Sequence, residues 1–225
     1  MAISRCCFES SDMDEDQLFR KWDDWLEKIL ADIRELLVSQ DIFWEVQKII
    51  KANPRIHTPN TFNRWMARIY GNDAAAGIRR QQDIDDDSIT LRRLLMEIQN
   101  KPQVLSRDRY VALYKEDMKE LGHRHFDKIV GQGRDYIDTE MVSKDLAQLE
   151  GKTKNIKKYV DKRIAHLDKH PHQEPPTFKE VDECLDLFKD LLQKYLLIFR
   201  AATYVILPVR DYDWKQIFRE PWITS

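Results

Sequence analysis

Between Leu18 and Leu37 the apolar residues Leu18, Trp22, Trp25, Leu26, Ile29, Leu30, Ile33, Leu36 and Leu37 recur at spacings of three and four. A strand returns to the same face every second residue, so this spacing gathers into one continuous stripe only on an α-helix. The pattern predicts a helix over 15–39, and such a stripe has to be covered by other elements. Sheet is hard to supply, because six glycines and eight prolines in 225 residues leave little material for tight turns. The expected fold class is all-α.

The same periodicity returns along the chain. Ile42, Phe43, Val46, Ile49 and Ile50 follow a polar interruption at Ser39-Gln40-Asp41 and predict a short second helix, ended by Asn53-Pro54. Thr58-Pro59 opens a third, to about residue 82, through Phe62, Trp65, Met66, Ile69, Tyr70, Ala74 and Ile78, with Gly71 and Gly77 as weak points that helix packing tolerates. The run from Asp83 to Ser88 reads as a loop capping a fourth helix that carries Leu91, Leu94, Leu95 and Ile98. Ser106 is the next expected cap, and Tyr110, Leu113, Tyr114, Met118 and Leu121 form a stripe before the Gly131-Gln132-Gly133 turn. A long helix can be drawn from Thr139 to Lys169 with Gly151 as its soft spot, stopped by Pro171, Pro175 and Pro176. Thr177 and Glu180 have the spacing of a capping box for a last helix through Val181 to Phe199. Tyr204 to Pro208 is a short β-like run, and the aromatic tail beyond Asp211 is expected to fold back on the bundle. The reading is a single bundle of about seven helices: a flexible start over 1–14, the bundle over 15–203 and a C-terminal tail over 204–225. The alternative divides the chain near Lys101-Pro102.

No apolar run approaches the ~20 residues that span a bilayer, and Met1 to Ser11 lack the apolar core of a secretion signal, so the expected location is the cytoplasm, without membrane contact. Cys6, Cys7 and Cys184 offer no disulfide framework and no Cys-x-x-Cys zinc pair. The net charge of −2 excludes a globally basic chain, yet the charge is segregated. Glu9 to Glu27 holds eight acids and two bases, whereas Lys152 to Lys169 holds seven bases and two acids.

Nucleotide loops of the Gly-x-x-x-x-Gly-Lys type, dinucleotide fingerprints, nucleophile elbows and His-Glu-x-x-His are absent from the sequence. Chemistry concentrates instead in the basic segment, from Tyr159 to His170. On a helix Arg163, His166 and His170 share one face, being three and four residues apart. A guanidinium can hold a phosphate through two hydrogen bonds and an imidazole can move a proton near neutrality, which is the minimum for metal-free cleavage of RNA at its 2′-hydroxyl. The competing reading is a solvated face, with His166 favoured by the carbonyl end of its helix. A metal site from His166, His170 and His172, with Asp168 or the Asp83 to Asp87 cluster, is a further alternative. Arg79, Arg80, Arg92 and Arg93 read as solvated or paired with the intervening aspartates, and Trp22, Trp25 and Trp65 as core rather than base-stacking platforms.

The segment Asp161 to Asp168, with Thr61 to Tyr70 and Ser88 to Leu95, resembles the HEPN superfamily, in its abortive-infection U-type branch. The resemblance covers roughly 15–200. It implies an all-helical bundle, a homodimer with facing motif helices, and in active members a metal-independent RNase of phage-defence or toxin–antitoxin modules that needs no cofactor. The family motif is an Arg, commonly followed by a polar residue, and then a His four to six positions after the Arg. With His166 as that His, Asp161 takes the polar place and Val160 stands where the Arg belongs; Arg163 substitutes from the same face, or pairs with His170 across six intervening residues. On this basis His166, Arg163, Asp161 and His170 are the candidate catalytic residues, Lys157, Lys158, Lys162 and Lys169 the candidate RNA contacts, and no metal is required. RNA, a cognate antitoxin or a phage protein are the expected partners. The alternative is a non-catalytic RNA- or protein-binding module, which the missing Arg favours.

Overall fold

The computed structural model describes residues 13–58, 60–164, 175–206 and 213–220. Seven α-helices carry them: α1 Glu15–Ala52, α2 Thr61–Arg80, α3 Leu91–Asn100, α4 Arg107–Val111, α5 Lys119–Val130, α6 Thr139–Tyr159 and α7 Phe178–Arg200. No strand occurs among the described residues. The expected all-α bundle is what the chain forms.

Its first helix is longer than the periodicity indicated. Ser39, Gln40 and Asp41 lie inside α1, because their helix propensities cost only tenths of a kcal/mol each and tertiary contacts outweigh them. Gln40 Nε2 and Trp44 Nε1 both donate to Asp182 Oδ1 of α7, at 2.7 and 3.1 Å, while Phe43 and Val46 continue the buried stripe. A capping box starts the helix: Asp14 accepts from the Gln17 amide at 2.7 Å and Gln17 Oε1 accepts in return. Asn53 ends it, as Pro54 requires.

The antiparallel course of the bundle follows from its pairings. Asp32, Leu36 and Phe43 of α1 meet Arg80, Gly77 and Tyr70 of α2 in reverse order. Asp23 of α1 pairs with Arg200 at the far end of α7, Lys152 and Asn155 of α6 meet Glu183 and Glu180 of α7, and Arg92 and Gln99 of α3 meet Glu150 and Ser143 of α6. Trp22, Leu26, Ile29, Leu30 and Ile33 of α1 share one contiguous buried cluster with Leu94 and Ile98, with Leu149 and Ile156, and with Leu185, Phe188, Leu192, Tyr195 and Phe199. Tyr110, Phe126 and Val130 of α4 and α5 form a smaller cluster beside it.

Local chemistry sets the other boundaries. Asn60 caps α2 by accepting from the Asn63 amide at 2.9 Å, and Ser106 and Thr177 cap α4 and α7 as expected, the latter in the Thr177–Glu180 capping box. The cap of α3 is Thr90 rather than the aspartate run; Asp83 instead folds the loop, accepting from the amides of Ile84 and Asp85. The Tyr110 to Leu121 stripe is not one helix: α4 stops at Val111, a 3-10 turn covers Glu116–Met118, and Leu113 and Met118 are exposed. From Tyr204 to Ile206 the chain is irregular rather than β-like, with Ile206 buried in the main cluster, and Lys215 ties the tail to Glu45 at 2.7 Å. No described helix is long and apolar enough to cross a membrane.

Candidate functional site

The expected long helix from Thr139 to Lys169 passes Gly151 without a break but closes its α geometry at Tyr159. A π-helical turn follows over Val160–Ile164, which holds the candidate residues Asp161, Lys162 and Arg163. This turn packs against α2. Its anchor is Val160, only 5 % exposed within the main cluster, so the place where the family motif has its Arg points into the core.

Asp161 is half-buried and accepts from Arg79 Nε at 3.2 Å, while the same guanidinium donates through Nη1 to Asp83 Oδ2 at 2.8 Å. Arg79 therefore bridges the end of α2, the acidic loop and the π turn. Partial burial works against its charge, but the hydrogen bonds it donates to Asp161 and Asp83 prevail and hold the guanidinium even more firmly protonated than usual. Burial likewise opposes ionisation of Asp83, and the Asp85 amide and Arg79 outweigh it to keep that carboxyl below its ordinary range. The reading of Arg79 as paired with a neighbouring aspartate holds for Asp83; its second partner, Asp161, is separated by 82 residues and could be found only in three dimensions. Arg80, Arg92 and Arg93 are likewise paired, with Asp32, Glu150 and Asp86.

Beyond Asp161 the turn presents Arg163 and Ile164 on the surface. Lys154 and Lys158 of α6 are exposed, and Lys157 and Lys162 half-buried. Lys152 is bonded to Glu183, whereas Lys154, Lys157, Lys158 and Arg163 have no ion pair among the described residues. The fold thus brings Lys157, Lys158, Asp161, Lys162 and Arg163 together at the end of α6. His166, Lys169 and His170 lie outside the described residues, as do Asp168 and His172 of the metal alternative.

The model of the HEPN_AbiU2 family, described as AbiU2, matches residues 19–217. The chain belongs to this family of HEPN-like abortive-infection proteins. Curated proteins and solved structures give no match. The AbiU2 match spans all seven helices from the second turn of α1 onward, so the π turn and its Arg79 brace lie within the family region.

One expectation about this AbiU2 protein is overturned. Trp65 is not core: it is 48 % exposed, beside Phe62 at 53 % and Ile69 at 48 %. The buried arc of α2 is formed by Tyr70, Ala74, Ala75, Gly77 and Ile78, and at 100° per residue the Phe62–Trp65–Ile69 row lies roughly opposite that arc. Apolar spacing identified a stripe but could not say that the first half of this stripe is left uncovered.

Proposed function

We propose that this HEPN-like abortive-infection protein acts on RNA, as a homodimer, and cleaves it without a metal. The observation that carries the reading is the group of cations without ion pairs among the described residues, Lys154, Lys157, Lys158 and Arg163, at the mouth of a π turn braced by Arg79 and Asp161. Single π turns recur at functional sites, and clustered cations without internal partners favour a polyanion. Arg163 grips the scissile phosphate, with Lys157, Lys158, Lys162 and Lys169 on flanking ones. His166, three residues beyond Arg163 in the sequence, takes the proton of the 2′-hydroxyl or gives one to the leaving 5′-oxygen, with His170 as the second candidate for proton transfer. The 2′-oxygen–phosphorus bond forms as the phosphorus–5′-oxygen bond breaks, leaving a 2′,3′-cyclic phosphate. Asp161, engaged with Arg79, serves to position the turn.

Incubation of wild type and His166→Ala with labelled total RNA in chelator tests this, with 3′-end chemistry as readout. Cyclic-phosphate ends made by wild type and lost in the variant support the reading, and unchanged cleavage by a folded His166→Ala protein refutes it.

A second reading, a non-catalytic module that binds RNA or a partner protein, is favoured by the burial of Val160 at the place of the motif Arg. Binding that falls with salt, without turnover and indifferent to His166→Ala, distinguishes it.

A further inference from the structure

From Val46 to Asn72 the chain contains no acid, while it carries Lys48, Lys51, Arg55, Arg64 and Arg68. This interval covers the end of α1, the connecting loop and the first half of α2, where Phe62, Trp65 and Ile69 stand exposed. The Phe62 and Trp65 rings form a tilted pair with centroids 5.6 Å apart. Arg64 and Arg68 are exposed and have no ion pair among the described residues, although ion pairs occupy most other arginines of the bundle.

We propose that the first half of α2 is a stacking platform for single-stranded RNA, with Phe62 and Trp65 receiving bases and Arg68 holding the phosphate beside them. The proposal rests on the reading that the protein acts on RNA, and it names the strand form that the site takes. Aromatic faces stack on any unpaired base, and a neighbouring guanidinium supplies sequence-independent affinity for the phosphate backbone. The platform is also continuous with the site. Arg68 and Arg79 are eleven residues apart, so they lie about 20° from one another around α2 and on the order of 16 Å along it. A strand stacked at Trp65 and running along this edge reaches the π turn that Arg79 braces.

The other occupants fit less well. A second copy docking through the same face sets Arg68 against its counterpart, with Asp73, the one acid of α2, four residues beyond Ile69. Of the described acids at the start of α1, Asp16 already pairs with Arg109, Asp23 and Glu27 with Arg200, and Asp24 with Lys28, while Asp14 caps the helix, which leaves Glu15 without an ion pair among the described residues. A protein helix seated by its apolar face needs a groove, whereas this row stands on the outer side of one helix, away from its buried arc.

The test uses the full chain and a fluorescein-labelled oligouridylate of about 12 nucleotides, read by fluorescence anisotropy, beside an RNA duplex of equal length. Wild type should bind the single strand more tightly than the duplex. Phe62→Ala and Trp65→Ala should each weaken it roughly fivefold or more. Arg68→Gln should reduce the slope of log affinity against log salt by about 0.7, the value per phosphate released on a single strand. Both rings are half exposed, so unchanged circular dichroism and thermal midpoint are expected and exclude misfolding as the cause. Wild-type affinity in Phe62→Ala and Trp65→Ala overturns the platform while leaving RNA action by the α6 end intact. Loss of self-association in those variants, with RNA affinity unchanged, assigns the face to a second copy and overturns it too. If wild type binds neither RNA form, the platform and the RNA reading fall together; ring-dependent binding without cleavage supports the platform and refutes only catalysis.

Discussion

Gly77 sits where α2 crosses α1, and substituting alanine there sets two opposed effects against each other. Removing glycine from a helix interior favours folding by about 1 kcal/mol. A Cβ at this position, however, would overlap Leu36 Cδ2 and lie 2.8 Å from Cδ1 and 3.1 Å from Cγ of the same side chain. Leu36 is 4 % exposed and packed in the main cluster, so its methyls have little room to retreat, and overpacking of this kind costs about 1–3 kcal/mol. The net expectation for Gly77→Ala is a loss of about 1 kcal/mol, seen in urea unfolding followed by circular dichroism, or as a fall of about 2–4 °C in thermal midpoint. The decisive comparison is with Leu36→Ala, which by itself costs about 2–5 kcal/mol by opening a cavity. In that background the obstruction is gone and the new methyl fills part of the space, so Gly77→Ala should stabilise by about 1 kcal/mol. The sign of the substitution therefore reverses between backgrounds. An equal effect in both, or a gain in the wild-type background, would refute contact with Leu36 as the reason for glycine here.

Three further outcomes follow from named contacts. Asp145 accepts from Lys194 Nζ at 2.7 Å and from the buried Tyr195 hydroxyl at 2.8 Å, so Asp145→Ala should cost about 3–5 kcal/mol and Tyr195→Phe only about 1 kcal/mol in the same unfolding assay; equal losses would contradict this ordering. Burial raises the Cys184 thiol from 9.0 to about 12, so it should resist alkylation in the native protein at pH 8 and react once unfolded, as peptide mass spectrometry would show. Its folded pKa is the higher, so the native state is unaffected below pH 9 and loses stability as pH rises from there towards 12; a Cys184→Ala protein with the same alkaline loss would refute the assignment. The hydrogen bond from Lys215, joined by that from Lys48, lowers Glu45 from 4.5 to about 2, so the tail contact is complete above pH 4.5 and is lost as pH falls towards 2. In Lys215→Ala the Glu45 carboxyl, followed by NMR, should titrate closer to 4.5.

Residues that act on their immediate neighbours were the legible ones. Ser106 and the Thr177–Glu180 pair cap helices at the expected places because a cap bonds an amide two or three residues away, which the sequence displays directly. The π turn was not legible: Tyr159 to Ile164 has the same helical periodicity as the residues before it, and the change of geometry comes with packing of the turn against α2. Residues 61–70, together with the Asp161 to Asp168 segment, carried the family resemblance, yet the role expected of Trp65 was the wrong one. An apolar spacing states that a face exists and is silent on whether anything covers it.

The sequence by itself determined that the chain is helical, where α1, α4, α6 and α7 begin, and to which family it belongs, because periodicity, capping and motif are properties of short stretches. Only the tertiary structure decided that α1 runs unbroken through residues 39–41, that Arg79 reaches Asp161, that Val160 is core and that Phe62 and Trp65 are surface. Each of these depends on what a residue far along the chain contributes, hydrogen bonds accepted by Asp182 of α7 in the first case and, among the described residues, the absence of a covering helix in the last. Local rules assign a residue its conformation; burial and partnership are settled by which elements the whole fold brings alongside.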